Sequence, residues 1–289
     1  MTSDIKKYSF KKGLPQEFEL ISIADLYSEF FNELTTPHRT GFYHILWFQK
    51  GSPTHIVDFN PVKIKPNTLL FLNKETVQCF DPKENSGGKV ILFTDNFFCK
   101  SNADTKFLKT SILFNDLLSV SQICLQKNSD LFAELFKQLE TELTNPKDHY
   151  QAEVLRNLLH NVMLLSERER RKQDFTELKK GADLDYVMLF KDLLENSYKL
   201  QKKVASYSRE LGLTEKRLNQ ATSKILDKSP KKMIDERVML EAKRLLAHTN
   251  ESVKEIGFEL GFEEPTNFIK YFRKHHNSTP VEFRESFSL

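Results

Sequence analysis

Two short sets of polar side chains hold most of the chemistry in this 289-residue sequence. The first is Lys216, Arg217, Asn219, Gln220, Ser223 and Lys224. The second is Thr266, Asn267, Lys270, Arg273 and Lys274. At helical spacing each set falls opposite an apolar stripe: Leu218, Ala221 and Ile225 in the first, Phe268, Phe272 and His275 in the second. Asn, Gln and Lys reach base edges, and a good two-pronged contact discriminates between bases by about 1–3 kcal/mol. Ser, Thr and the remaining Lys and Arg are types that hold backbone phosphates. One polar helix face is ordinarily solvated surface. Two faces in the same register call for a shared explanation.

The elements that must position these faces come from a repeat. Val204-Ala205 to Leu211-Gly212-Leu213-Thr214 and on to Leu218 is one copy, and Val253 to Leu260-Gly261-Phe262 and on to Phe268 is the other. Each copy is a short amphipathic helix, a Leu-Gly turn, a polar helix start and a second helix. This is the grammar of a helix-turn-helix, whose second helix can present a face to a DNA groove. The copies are expected over Lys202–Leu226 and Val253–His276. Ser229-Pro230 opens a helix between them that runs to His248, roughly 28 Å at 1.5 Å per residue. That length approaches the ~34 Å between successive major-groove faces on one side of a duplex. The copies differ in charge. Residues 199–250 hold 13 Lys and Arg against 6 Asp and Glu, a net +7, whereas residues 251–289 hold 5 against 7, a net −2. The first copy is therefore expected to supply most of the salt-dependent affinity for phosphate.

Upstream the pattern changes. Apolar, β-prone pieces at Phe42–Gln49, Thr54–Phe59, Val62–Ile64, Thr68–Leu72, Val77–Phe80 and Lys89–Thr94 are separated by turn chemistry, including Asn60-Pro61 and Asn85-Ser86-Gly87-Gly88. Pro37 to Gly41 also reads as a turn. Short strands so spaced predict an antiparallel sandwich or small barrel. Residues 1 to about 35 read as a polar arm followed by mixed apolar sequence, and 95–126 could hold short helices or another strand around Ile123. Helical spacing returns at Ser129–Leu143 and Tyr150–Lys172, an antiparallel pair that either covers the β domain or offers a dimerisation seam. Apolar periodicity lapses before Tyr186–Lys199. The domains expected are 1–172 and 185–289, joined by a linker at 173–184.

The residues from Ala205 through Leu211-Gly212-Leu213-Thr214, Ser229-Pro230, Arg237, Leu245-Leu246, Ile256, Leu260-Gly261-Phe262, Asn267-Phe268, Thr279-Pro280 and Phe283-Arg284 closely resemble the DNA-binding domain of the AraC/XylS family of bacterial transcription regulators. The resemblance covers about 85 residues. Phe42 to Trp47 and Lys65 to Leu69 look like the cupin-type ligand domain of that family, with less specific motifs. The fold implied is two-domain α+β: an N-terminal cupin-like antiparallel β-sandwich or barrel with a helical pair, then an all-α domain with two helix-turn-helix motifs. The partners implied are double-stranded promoter or operator DNA, RNA polymerase, a small-molecule effector and a second copy of the chain. Two departures stand out. Asp227 or Lys228, and Asn277, occupy places where the family often has glycine, and Asp and Asn tolerate left-handed angles. Gly257 replaces the usual alanine, which is expected to loosen its helix.

Other chemistry finds little support. There is no GxGxxG and no phosphate-binding lysine loop. His44 and His55 lie on expected strands, but His44 is followed by Leu46 and the later position reads Val77-Gln78-Cys79, which argues against a metal; no cofactor is expected. His44 and Trp47 are candidates to line a ligand pocket, or are simple core. They alternate to opposite faces of one strand, and the sequence does not say which face is interior. Cys79, Cys99 and Cys124 form no CxxC pair and leave one over, which fits a reducing compartment. With no signal-peptide pattern and no run of ~18 apolar residues, the expectation is a cytoplasmic protein off the membrane. Two alternatives stay open: a cupin-type enzyme fused to a DNA-binding tail, and a ligand-blind regulator whose β domain is a scaffold.

Overall fold

The structure is a computed structural model and describes residues 5–10, 16–83, 86–114, 120–125, 128–173 and 181–287. Residues 174–180 of the expected linker, and Asn85 of the turn expected before Ser86, lie outside the described residues. The chain divides into two compact units, Lys6–Thr176 and Glu177–Leu289.

The first unit holds strands β1 (Lys6–Tyr8), β2 (Phe18–Ser22), β3 (His38–Thr40), β4 (Tyr43–Lys50), β5 (Thr54–Val57), β6 (Asn60–Lys63), β7 (Thr68–Leu72), β8 (Val77–Cys79), β9 (Gly87–Phe93) and β10 (Gln122–Cys124). They form two sheets, ordered β1-β3-β8-β5-β6 and β10-β7-β4-β9-β2. Pairing is antiparallel except between β1 and β3. β4 and β7 are near-continuous apolar runs because both their faces are covered. Tyr43, Ile45 and Trp47 join a core with helices α4 (Ser129–Thr144) and α5 (Gln151–Arg171), through Phe132, Phe136, Leu155, Leu159 and Val162. Trp47 and Phe136 meet with ring centroids 4.9 Å apart. Leu46 and Phe48 point the other way, into a second core between the sheets with Val57, Ile64, Leu72 and Phe80. The helical pair thus covers the β-sheet. Leu131, Val154 and Leu164 remain exposed on its outside.

Three local readings are corrected. Pro37 to Gly41 is not a turn: its middle is β3, which a strand from residues 6–8 completes. The turn placed at Asn60-Pro61 lies one step earlier. Val57 pairs with Asn60, so Asp58 and Phe59 make the turn, with Asp58 left-handed at φ 54°. Pro61 sits within β6, tolerable because β6 is an edge strand with an unused donor side. Gly87 and Gly88 open β9 rather than a loop. The mixed apolar stretch before residue 35 is β2 followed by helix α1 (Ile23–Leu34), capped by Ser22 and burying Ile23 and Leu26. Two short helices follow β9, α2 (Asp95–Phe98) and α3 (Asn102–Thr110).

The second unit is helical throughout its described residues: α6 (Ala182–Ser197), α7 (Val204–Glu210), α8 (Glu215–Leu226), α9 (Pro230–His248), α10 (Val253–Glu259), α11 (Pro265–His276) and α12 (Pro280–Glu285). Ala182 to Leu184 are the first residues of α6 rather than linker. Thr214, Ser229, Ser252 and Thr279 cap α8, α9, α10 and α12 through their hydroxyls. Asp227 and Asn277 end α8 and α11 at φ 52° and 59°, taking the left-handed angles that glycine would otherwise supply. α9 is the axis of the unit: Ile234, Val238, Ala242, Leu245 and Leu246 are buried along it.

Candidate nucleic-acid interface

The repeat becomes one geometry built twice. After α7, the Leu213 amide donates to the Ser208 carbonyl (2.8 Å) and the Gly212 amide to Arg209 (3.1 Å). After α10, Phe262 donates to Gly257 (2.9 Å) and Gly261 to Phe258 (2.9 Å). Both are Schellman closures around a left-handed glycine, at φ 65° and 77°. Each turn delivers the chain to an outer helix, α8 or α11, whose inner face is sealed by Leu218 and Ala221 or by Phe268 and Phe272.

The side chains singled out in the sequence divide into two groups. Lys216, Asn219, Gln220 and Ser223 on α8, and Thr266, Asn267, Lys270, Arg273 and Lys274 on α11, are exposed. Thr266 makes one local contact, donating to Glu264 at 3.3 Å. Arg217, half-buried, and Lys224, itself exposed, are engaged within the protein. Both pair with Asp183 of α6 at 2.6 Å, and the Arg217 guanidinium also lies 4.8 Å from the centre of the Tyr186 ring. His275, expected inside, is exposed, although its ring lies against Tyr271 (4.6 Å). His276 is the residue turned toward Phe272 and Phe283. The apolar stripe of α11 steps by four and four, not four and three, so residue 276 continues it.

Contacts that sequence reasoning missed lock the two copies together. Lys202, just before α7, reaches the turn after α10: its ammonium donates to the Leu260 carbonyl (2.6 Å) and to its own neighbour Lys199 (3.0 Å), and lies over Phe262. Burial holds the Lys202 ammonium below its usual range. Lys199 pairs with Glu259 at 2.6 Å. The backbones approach so closely that a Cβ on Gly261 would lie 1.8 Å from the Lys199 oxygen. A second link runs through α9, where Asp235 accepts from Tyr271 of α11 (2.6 Å) and from Lys231 (2.6 Å). Gly257 also has a packing reason: a Cβ there would come within 3.2 Å of the Phe268 Cβ. It lets α10 lie close to α11.

In the β unit, His44 and Trp47 do not share a site. Trp47 belongs to the core under α4 and α5, whereas His44 faces the other sheet. There Gln78 lies between two buried imidazoles, its amide nitrogen 3.1 Å from His44 Nε2 and its amide oxygen 3.1 Å from His55 Nε2. His44 Nδ1 has no partner among the described residues. Burial pushes His44 down to about 3 and His55 down to about 4, so both rings are neutral at pH 7.

Residues 207–286 match a helix-turn-helix domain family. The match takes in both turns and both outer helices. The lactose operon transcription activator of Staphylococcus xylosus is 29% identical over 98 residues, 34% of this chain and 35% of that protein. The HTH-type transcriptional activator RhaS of Enterobacter sp. (strain 638) is 22% identical over 262 residues, 86% of this chain and 87% of that protein. The chain thus spans about a third of the first relative's length and most of the second's. The crystal structure of ToxT from Vibrio cholerae O395 aligns with a TM-score of 0.44 at 15% identity, over 94% of this chain and 98% of that one. Residues 207–286 thus carry a helix-turn-helix domain, as the sequence resemblance to the AraC/XylS family implied.

Proposed function

We propose that this protein is a sequence-specific, double-stranded-DNA-binding transcription regulator, with residues 185–289 as the DNA-binding domain and 1–172 as the regulatory domain. The observation that carries the proposal is the doubled Schellman turn. It presents two exposed polar helix faces on one rigid frame. Gln220 and Asn219 on α8, and Asn267 and Lys270 on α11, read bases; Lys216, Ser223, Thr266, Arg273 and Lys274 hold phosphates. The names of the relatives, both transcription activators, support a role at promoters and hence RNA polymerase as a partner.

The regulatory reading rests on the interior of the β unit. His44, Gln78 and His55 are buried polar groups in an apolar core, and the unpartnered His44 Nδ1 is a hydrogen-bonding atom that a small polar effector would engage. The exposed Leu131, Val154 and Leu164 on α4 and α5 favour this helical pair as the seam of a homodimer. The composition fits a cytoplasmic protein, and no described helix is long and apolar enough to cross a membrane.

The test combines selection of bound fragments from genomic DNA with the double variant Gln220→Ala/Lys270→Ala. The selection should return a recurring motif with two segments. The double variant should lose affinity for that motif and relax its preference at one position in each segment. Unchanged affinity and preference would refute the reader assignment. A shift in thermal stability on adding one of a panel of metabolites would support the effector, and no shift across the panel would favour a scaffold.

A further inference from the structure

Asp183 lies in the first turn of α6, outside both helix-turn-helix motifs, and its two carboxylate oxygens are used separately. Oδ1 accepts from Arg217 at 2.6 Å and Oδ2 from Lys224 at 2.6 Å. The two cations are seven residues apart on α8, two turns along one flank. Arg217 is held a second time by the Tyr186 ring, one turn further along α6. Hydrogen bonds from Lys224 and then Arg217 keep the Asp183 carboxyl below the usual range, so it is ionised at neutral pH. One carboxylate therefore sits on two of the three cations of α8, leaving Lys216 as the third.

The position of that flank matters. A helix with its side chains is about 10–12 Å across, and the major groove is about 12 Å wide. A helix lying in the groove turns the middle of its outer face to the bases and its flanks to the phosphate walls. Arg217 and Lys224 are flank cations, the kind that neutralise phosphates. We propose that Asp183 is an electrostatic brake on the first reader: it occupies the two cations that would otherwise contact the DNA backbone, and so lowers affinity for DNA of any sequence. The proposal rests on the DNA-binding reading above. It makes a residue outside the motifs a determinant of how tightly, and with what salt dependence, the first motif binds.

The magnitude follows from counterion release. Each phosphate neutralised steepens the dependence of log K on log salt by about 0.9. Over the decade from 1 M to 0.1 M salt, one released cation is therefore worth about eightfold in affinity. The experiment uses the full chain and a fluorescent random-sequence duplex, titrated from low to moderate KCl. Asp183→Asn should bind about eightfold tighter at 0.1 M salt for each cation released, with a slope steeper by about 0.9 to 1.8. Asp183→Glu should stay near the parent. Lys224→Gln should cost little in the parent and about eightfold in the Asp183→Asn background, since only there is the ammonium free. Circular dichroism melts confirm that the variants are folded.

Unchanged or weaker binding by folded Asp183→Asn would overturn the brake, and so would an equal cost of Lys224→Gln in both backgrounds. A parent chain showing no salt-dependent DNA binding would refute the DNA-binding reading itself, and the brake with it. Should Asp183→Asn melt early, the Lys224→Gln and Arg217→Gln single variants decide. Each should leave random-duplex affinity within about twofold, and a loss near eightfold for either would sink the proposal.

Discussion

Replacing Gly261 with alanine should be far more damaging than the matching change at Gly212, although the two glycines hold the same place in the two copies. Both have left-handed angles, φ 77° and 65°. That conformation costs an L-residue about 1–2 kcal/mol at either site. The surroundings make the difference. A Cβ on Gly212 would meet nothing within 4 Å, whereas one on Gly261 would lie 1.8 Å from the Lys199 oxygen and 3.2 Å from the Lys202 ammonium. Real Cβ contacts do not fall below 3.0 Å, so the 199–202 segment must retreat by more than an ångström. That retreat breaks the bond from Lys202 to Leu260, a charge-assisted hydrogen bond worth about 1.5–3 kcal/mol. Gly212→Ala should therefore cost about 1–2 kcal/mol and Gly261→Ala about 3–5 kcal/mol. Urea unfolding of the full chain, followed by circular dichroism at 222 nm, measures both. Trp47 is the only tryptophan and lies in the β unit, so its fluorescence is an internal control that neither change should move. A difference below about 1 kcal/mol between the variants would refute the reasoning, because the close approach to Lys199 would then carry no energetic weight.

Two further outcomes are expected. His44 and His55 are neutral when folded, at about 3 and about 4, and return to about 6.5 when unfolded. The unfolded state therefore binds more protons below pH 6.5, so stability is full above that pH and falls as pH drops toward the folded values. At pH 5 each ring should remove about 2 kcal/mol from the β unit, read as a lower urea midpoint by Trp47 fluorescence than at pH 7; equal midpoints would contradict the burial. In the helical unit, Glu241 is buried against Arg237 (3.3 Å) and Arg244 (3.0 Å). Glu241→Gln should cost about 3 kcal/mol by removing the buried carboxylate that Arg237 and Arg244 share, although Arg237 keeps Glu195, whereas Glu236→Gln, which breaks an exposed pair with Lys228, should cost under about 1 kcal/mol.

The helical unit was legible because its signals are local. Leu-Gly turns, hydroxyl caps, Pro at helix starts and a four-residue apolar step all lie within a few residues of what they specify. The β unit was half legible. β4 and β7 announce themselves as apolar runs, but β3 is three residues, His38 to Thr40, that become a strand only because residues 6–8 and 77–78 pair with them. Pro61 reads as a turn until its strand is known to be an edge. The candidate interface shows the same limit. Periodicity places Arg217 and Lys224 on the outer side of α8, but their partner is 34 and 41 residues away in sequence, and only the packing of α6 beside α8 brings it near. The Lys202 contact with Leu260 spans 58 residues and has no local signature.

β4 is a partition shared by two rooms. Ile45 helps fill the room roofed by α4 and α5, and its neighbour Leu46 the room between the sheets, and both side chains are fully buried. A volume change in one room that moves the strand must be absorbed by the other. Mutations at these adjacent positions are therefore epistatic although the side chains belong to different cores. As such a sequence drifts, the histidine-bearing interior and the tryptophan-bearing face beneath the helices must change in step.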